Sequence, residues 1–148
     1  MKKYQLEIRF PHHYQPEDAQ QFYALDALDV ESKFDAIQWP QQLLRQLQLE
    51  SHDTSFVVKD TESQHELKLY LKSYAAEGDI NFKLDSNIEI EKSHKDLFGL
   101  LTIKSKDMVN FPMLNLLQTR DYLSQFLSGY LLPMRDDFKL SQEKASKT

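Results

Sequence analysis

The sequence predicts a single α+β domain: an antiparallel sheet of about five strands, one or two helices after the first strand, and a long C-terminal helix packed on one face. Three observations lead there. Apolar residues alternate with polar ones at the N-terminus and again around Leu67–Leu71, the period of a half-buried strand. The strand-like segments between Thr54 and Lys104 are joined by short polar links, which suit an antiparallel meander better than parallel crossovers. A stripe at helical spacing then runs from Met113 to Leu131.

In order along the chain, Tyr4, Leu6, Ile8 and Phe10 form the dry side of a first strand, stopped by Pro11. Pro16-Glu17-Asp18 reads as a helix start, with proline early and acids where the helix dipole favours them. Phe22, Leu25 and Leu28 would then share one face of that helix, with Asp18, Asp26 and Asp29 on the other. A second helix is expected near Trp39, with Pro40 in its first turn and Leu43, Leu44 and Leu47 as its stripe. Phe56-Val57-Val58 is a short strand, Asp60 to Gln64 a turn, and Leu67, Leu69 and Leu71 the dry side of the next strand. Glu77-Gly78-Asp79 signals a tight turn. Ile80–Leu84, Ile88–Ile90 and Phe98–Lys104 complete the meander. Phe111-Pro112 is expected to open the C-terminal helix and Pro133 to end it. Its Leu116, Leu123 and Leu127 should pack on Leu69, Leu84 and Ile103, with Phe82, Phe98 and Phe126 filling the core. The domain is drawn over 1–138, with 139–148 as a flexible polar tail.

A chain of 148 residues suffices for one core. With no Cys and three Gly, thiolate metal sites, thiol nucleophiles and phosphate-cradling glycine loops are excluded. The N-terminus lacks the continuous apolar core of a signal peptide, and no apolar run is long enough to span a bilayer, so a cytoplasmic location is expected. His12-His13 is the only adjacent histidine pair, and neighbours in an extended chain point apart. His52, His65 and His94 show no ligand spacing, so neither a metal nor a cofactor is expected. Arg120-Asp121 is assigned to the wet face of the C-terminal helix. Lys68, Tyr70 and Lys72 share a strand face in a region with eight Lys against ten acids, which makes nucleic acid an unpromising partner. No nucleophile, base and oxyanion donor can be named together, and a catalyst is not expected.

The sharpest feature is charge. Residues 17–35 hold six acids against Lys33, a balance of −5, while the remaining 129 residues carry 17 acids and 17 Lys or Arg and sum to zero. Large apolar side chains interleave with these acids. Asp18, Tyr23, Asp26, Asp29, Glu31, Phe34, Asp35 and Trp39 are therefore the candidate partner-binding residues, the partner being a protein with a basic surface. The same pattern also describes a helix with one wet side. In size, acidity and lack of a motif the chain is similar to bacterial immunity proteins, which implies an inhibitor or antitoxin that occludes a basic partner such as a nuclease. Its element order also resembles the helix-grip architecture of START-like ligand-binding proteins. That resemblance implies the alternative, a small-molecule carrier or enzyme with a pocket between the C-terminal helix and the sheet. A subunit of a larger assembly is the third possibility.

Overall fold

The alternation at the N-terminus forms strand β1 (Tyr4–Arg9), with Tyr4, Leu6 and Ile8 buried. The computed structural model describes residues 2–72, 80–95 and 102–146. A single 3-10 turn (Pro16–Asp18) precedes β2 (Gln20–Leu25); helices α1 (Ala27–Ala36) and α2 (Trp39–Leu49) follow. The remaining strands are β3 (Ser55–Asp60), β4 (Glu66–Lys72), β5 (Asn81–Ser86), β6 (Glu89–Lys95), β7 (Thr102–Met108) and β8 (Phe111–Leu114). Helices α3 (Leu116–Ser128) and α4 (Leu132–Ser146) close the chain. The sheet has six antiparallel strands in the order β2-β1-β3-β4-β5-β8, and β6 with β7 makes a separate two-stranded ribbon. The fold is α+β as expected, with a larger sheet than the sequence suggested. The expected turn at Glu77–Asp79 and the segment Phe98–Leu101 lie outside the described residues, as does the expected contact with Ile103.

Three expected elements are different. The helix predicted from Pro16 lasts one turn, because Gln20–Leu25 pairs with the free edge of β1, where Leu6 faces Phe22 and Ile8 faces Gln20. The register slips between Tyr4 and Leu6, opposite Ala24 at φ +56°, a bulge on an edge strand. Phe22 and Leu25 therefore lie on a strand, and Leu28 is exposed rather than part of a dry helical face. The helix begins at Asp26 instead: Asp29 N–H donates to Asp26 Oδ1 at 2.8 Å, and Asp26 N–H donates to Asp29 Oδ2 at 3.3 Å.

The second difference is the orientation of α2. Trp39, Gln42, Leu43 and Gln46 are buried, while Leu44 and Leu47 face water. Gln46 turns the helix this way. Its Nε2 donates to Leu71 O at 3.1 Å and its Oε1 accepts from Thr54 N–H at 2.7 Å, so a buried amide ties α2 to the end of the β3–β4 hairpin.

Third, Phe111-Pro112 belongs to β8, which pairs with β5; an edge strand tolerates a proline. The C-terminal helix starts at Asn115, whose Oδ1 accepts from Gln118 N–H at 2.8 Å, and stops at Gly129, a left-handed C-cap at φ +77°. Pro133 then stands in the first turn of α4, where its missing N–H costs nothing. There are two C-terminal helices in place of one, and α4 runs through residues expected to be the polar tail.

The helices cover one face of the sheet. Phe34 of α1 lies 5.0 Å from Trp39 and 5.3 Å from Phe56, ring centre to ring centre, and Trp39 lies 5.0 Å from Phe82. Leu123, Phe126 and Leu127 of α3 are buried, as expected for Leu123 and Leu127, whereas Leu116 is exposed. Tyr4 donates its hydroxyl to Leu127 O at 2.8 Å, and burial pushes its pKa to about 12. Among the described residues no helix is long and apolar enough to cross a membrane.

Candidate protein-docking face

The eight candidate residues separate into three groups. Phe34 and Trp39 are core residues, 1% and 4% exposed, and are not available to a partner as surface anchors. They are buried because α1 and α2 lay their aromatic sides on β3 and β5, which the acid-rich sequence around them does not reveal. Asp18 stays exposed, and its Oδ2 accepts from Gln15 N–H at 3.1 Å. Strand β2 separates it from Asp26 by roughly 20–25 Å, so it is not part of one patch with the helix. Tyr23, on β2 and 64% exposed, lies closer to the start of α1.

Asp26, Asp29, Glu31 and Asp35 all belong to α1 or its cap, and here the structure brings in a residue the sequence reading put on a wet face. Arg120 of α3 reaches across to α1. Its Nε donates to Asp35 Oδ1 at 2.8 Å, and its Nη2 donates to Asp35 Oδ2 at 3.1 Å and Glu31 Oε2 at 3.2 Å. Ser124 Oγ donates to Glu31 Oε1 at 3.3 Å and accepts from Arg120 Nη1 at 2.5 Å. Glu31 and Asp35 are therefore internally paired, contrary to an acidic surface left wholly free for a partner. The pairing order, Glu31 with residues 120 and 124 but Asp35 with 120 alone, means that α1 and α3 run antiparallel along a seam. No sequence spacing signals a partner 85 residues away.

The seam keeps a charge surplus. Asp26, Asp29, Glu31 and Asp35 make four carboxylates on α1 and its cap against Lys33 and the Arg120 guanidinium, a local balance of −2, and among the described residues no Lys or Arg pairs with Asp26 or Asp29. Large apolar side chains stand at both ends. Leu28, 72% exposed, shares the outer side of α1 with Asp35, seven residues or about 10 Å along the axis. At the other end a groove of about 450 Å³ opens between Pro40, Leu116 and Leu117, with Arg120 and Asp35 on its rim. Phe34 and Trp39 form part of its wall, and Trp39 Nε1 is buried without a hydrogen-bond partner among the described residues. Leu117 is 82% exposed. Leu44 and Leu47 fall on the Pro40 side of α2 by their i+4 and i+7 spacing and are exposed as well.

The other sequence candidates resolve as follows. His12, His13 and His52 meet around Phe10: the first two rings are 4.3 Å apart, His52 Nε2 lies 2.8 Å from Phe10 O, and His13 Nδ1 accepts from Phe10 N–H at 2.9 Å. Burial, then the His12 ring, lowers the pKa of His13. Among the described residues no three His, Asp or Glu side chains form a possible metal-binding group. On the outer face of the sheet Lys68 lies 3.4 Å from Glu66, Lys72 pairs with Asp53, and Lys83 lies 3.6 Å from Asp85, so the bases there have acidic neighbours. No protein family matches the chain, and no curated protein or solved structure is similar to it.

Proposed function

We propose that this protein is a non-catalytic binding protein that docks a partner with a basic surface on the seam between α1 and α3. The observation that carries this reading is the seam itself: two leucines exposed at 82% and 72% flank carboxylates that outnumber their guanidinium. Exposed apolar anchors beside uncompensated charge suit a partner of opposite charge, the apolar groups supplying affinity and the charge steering the approach. Inhibition fits this arrangement, since an acidic face set against a basic working surface would occlude it, as an antitoxin-like protein does. Compared with the sequence reading, the face has lost Phe34, Trp39 and Asp18 and gained Leu28, Leu117 and the Arg120 seam.

A capture experiment from the native host tests it, using as baits the wild-type protein and a Leu28→Ser/Leu117→Ser variant. The expected result is a protein of basic surface retained by the wild type and lost by the variant, at equal bait loading and melting temperature. Equal retention of that protein by both baits would contradict the assignment of the face.

A further inference from the structure

A second groove, of about 440 Å³, lies between α1, α2 and the β1–β2 edge. Its composition is unlike the rest of this acidic chain. Ile8, Phe10 and Phe22 give it an apolar floor, four glutamine carboxamides line it, and its lining includes one cation, Lys33, and no Asp or Glu. The Lys33 ammonium sits 4.0 Å from the centre of the Phe22 ring and makes no ion pair among the described residues. Gln42, 8% exposed, also lines the groove, and its side-chain oxygen is buried with no hydrogen-bond donor among the described residues. A buried acceptor left open is uncommon in a folded protein and signals an absent donor.

From these features we infer that the groove binds a small amphiphilic carboxylate bearing an N–H donor next to its acid group. The apolar body would lie on Phe10 and Phe22, the carboxylate would meet Lys33, and, with the Gln42 side chain turned toward the groove, the N–H would supply the donor that its buried oxygen lacks. The volume is within the range of small-molecule sites. A cation held over an aromatic face offers an anion its opposite charge in a groove lined by no acid, and Asp29, one turn before Lys33 on α1, lies outside that lining. Two sources offer this chemistry, a free N-acylated apolar amino acid and the C-terminal residue of an apolar peptide. The two grooves share Ile37 and Gln38 at the end of α1, but Lys33, Phe22 and Gln42 line this one alone, and the inference does not rest on the docking assignment.

The test is a titration of the full ¹⁵N-labelled chain followed by NMR, with N-acetyl-phenylalanine as the first probe and the tetrapeptide Ala-Ala-Ala-Phe as the second. The expected result is saturable shifts of the Phe22, Lys33 and Gln42 amide signals with at least one probe; the tighter of the two identifies the source. N-acetyl-phenylalaninamide, which lacks the carboxylate, should bind about tenfold more weakly or worse, and Lys33→Met should weaken the acid by a similar factor. Gln42→Leu should lose affinity while its melting temperature stays level or rises, since it removes an unpaired buried oxygen. The inference is overturned if neither acid gives saturable shifts, if the amide binds as well as the acid, or if Lys33→Met binds like the wild type.

Discussion

Two side chains make stability depend on pH through opposite chemistries and with the same sign. Burial alone would raise the pKa of Asp60, but the backbone N–H of Glu62, the Lys2 ammonium 3.2 Å away and the N–H of Ser63 outweigh it and hold the carboxyl below its ordinary range. A depressed carboxylate contributes stability above its unfolded pKa, roughly 4, and loses it as pH falls through the folded value. His13 is depressed too, by burial and then by His12, so its neutral form is favoured in the fold and stability is lost once pH drops below about 6.5. Melting temperature should therefore fall in two steps between pH 7 and pH 2. His13→Asn, which keeps an acceptor near Phe10 N–H, should flatten the upper step, and Asp60→Asn the lower. A single step near pH 4 in the wild type would show that His13 contributes nothing. Of these roles only the Asp60 turn was legible in the sequence. The burial of His13, Phe34 and Trp39 comes from elements that meet across the fold, and residue type alone carries no sign of that.

Among the elements, the strands with two neighbours were easy to read and the edge strands were not. β1 and β4 bury alternate residues, so their period shows in the sequence. β2 and β8 sit at the sheet edges: β2 has no fully buried residue, β8 buries Phe111 and Leu114, three apart, and their apolar residues thus fall at spacings a helix would also give. The true helix starts were nevertheless visible as Asp26-x-x-Asp29 and Asn115-x-x-Gln118, reciprocal caps that outrank an early proline as signals. The orientation of α2 was hidden because a glutamine, not a leucine, sets it. Replacing Gln46 by Leu should thus be destabilising despite adding an apolar group to the core side. It leaves Leu71 O and Thr54 N–H unpaired, at about 1–3 kcal/mol for each buried group, which a shift of the urea midpoint would report. An unchanged midpoint would mean that the amide is not what orients the helix.

At the scale of the molecule, the charge balance of residues 17–35 was legible and its arrangement was not. Counting acids locates a negative region, but whether each acid is free depends on Arg120, brought to Glu31 and Asp35 by the antiparallel packing of α3. The same packing sets exposed Leu117 beside Pro40, two residues far apart in the chain. The central claim is that the surplus charge on α1 steers a basic partner, and Asp26 and Asp29 are its unpaired part. Reversing both to Lys would remove the helix cap, at about 1 kcal/mol, and confuse folding with binding. Asp26→Ser with Asp29→Gln keeps a reciprocal cap while removing two charges. The most direct measurement is the association rate of this double variant with the captured partner at low and at high salt. The rate should fall several-fold below wild type at low salt and converge with it at high salt, with the melting temperature preserved. Equal rates at low salt, or a deficit that persists at high salt, would contradict electrostatic docking on this face.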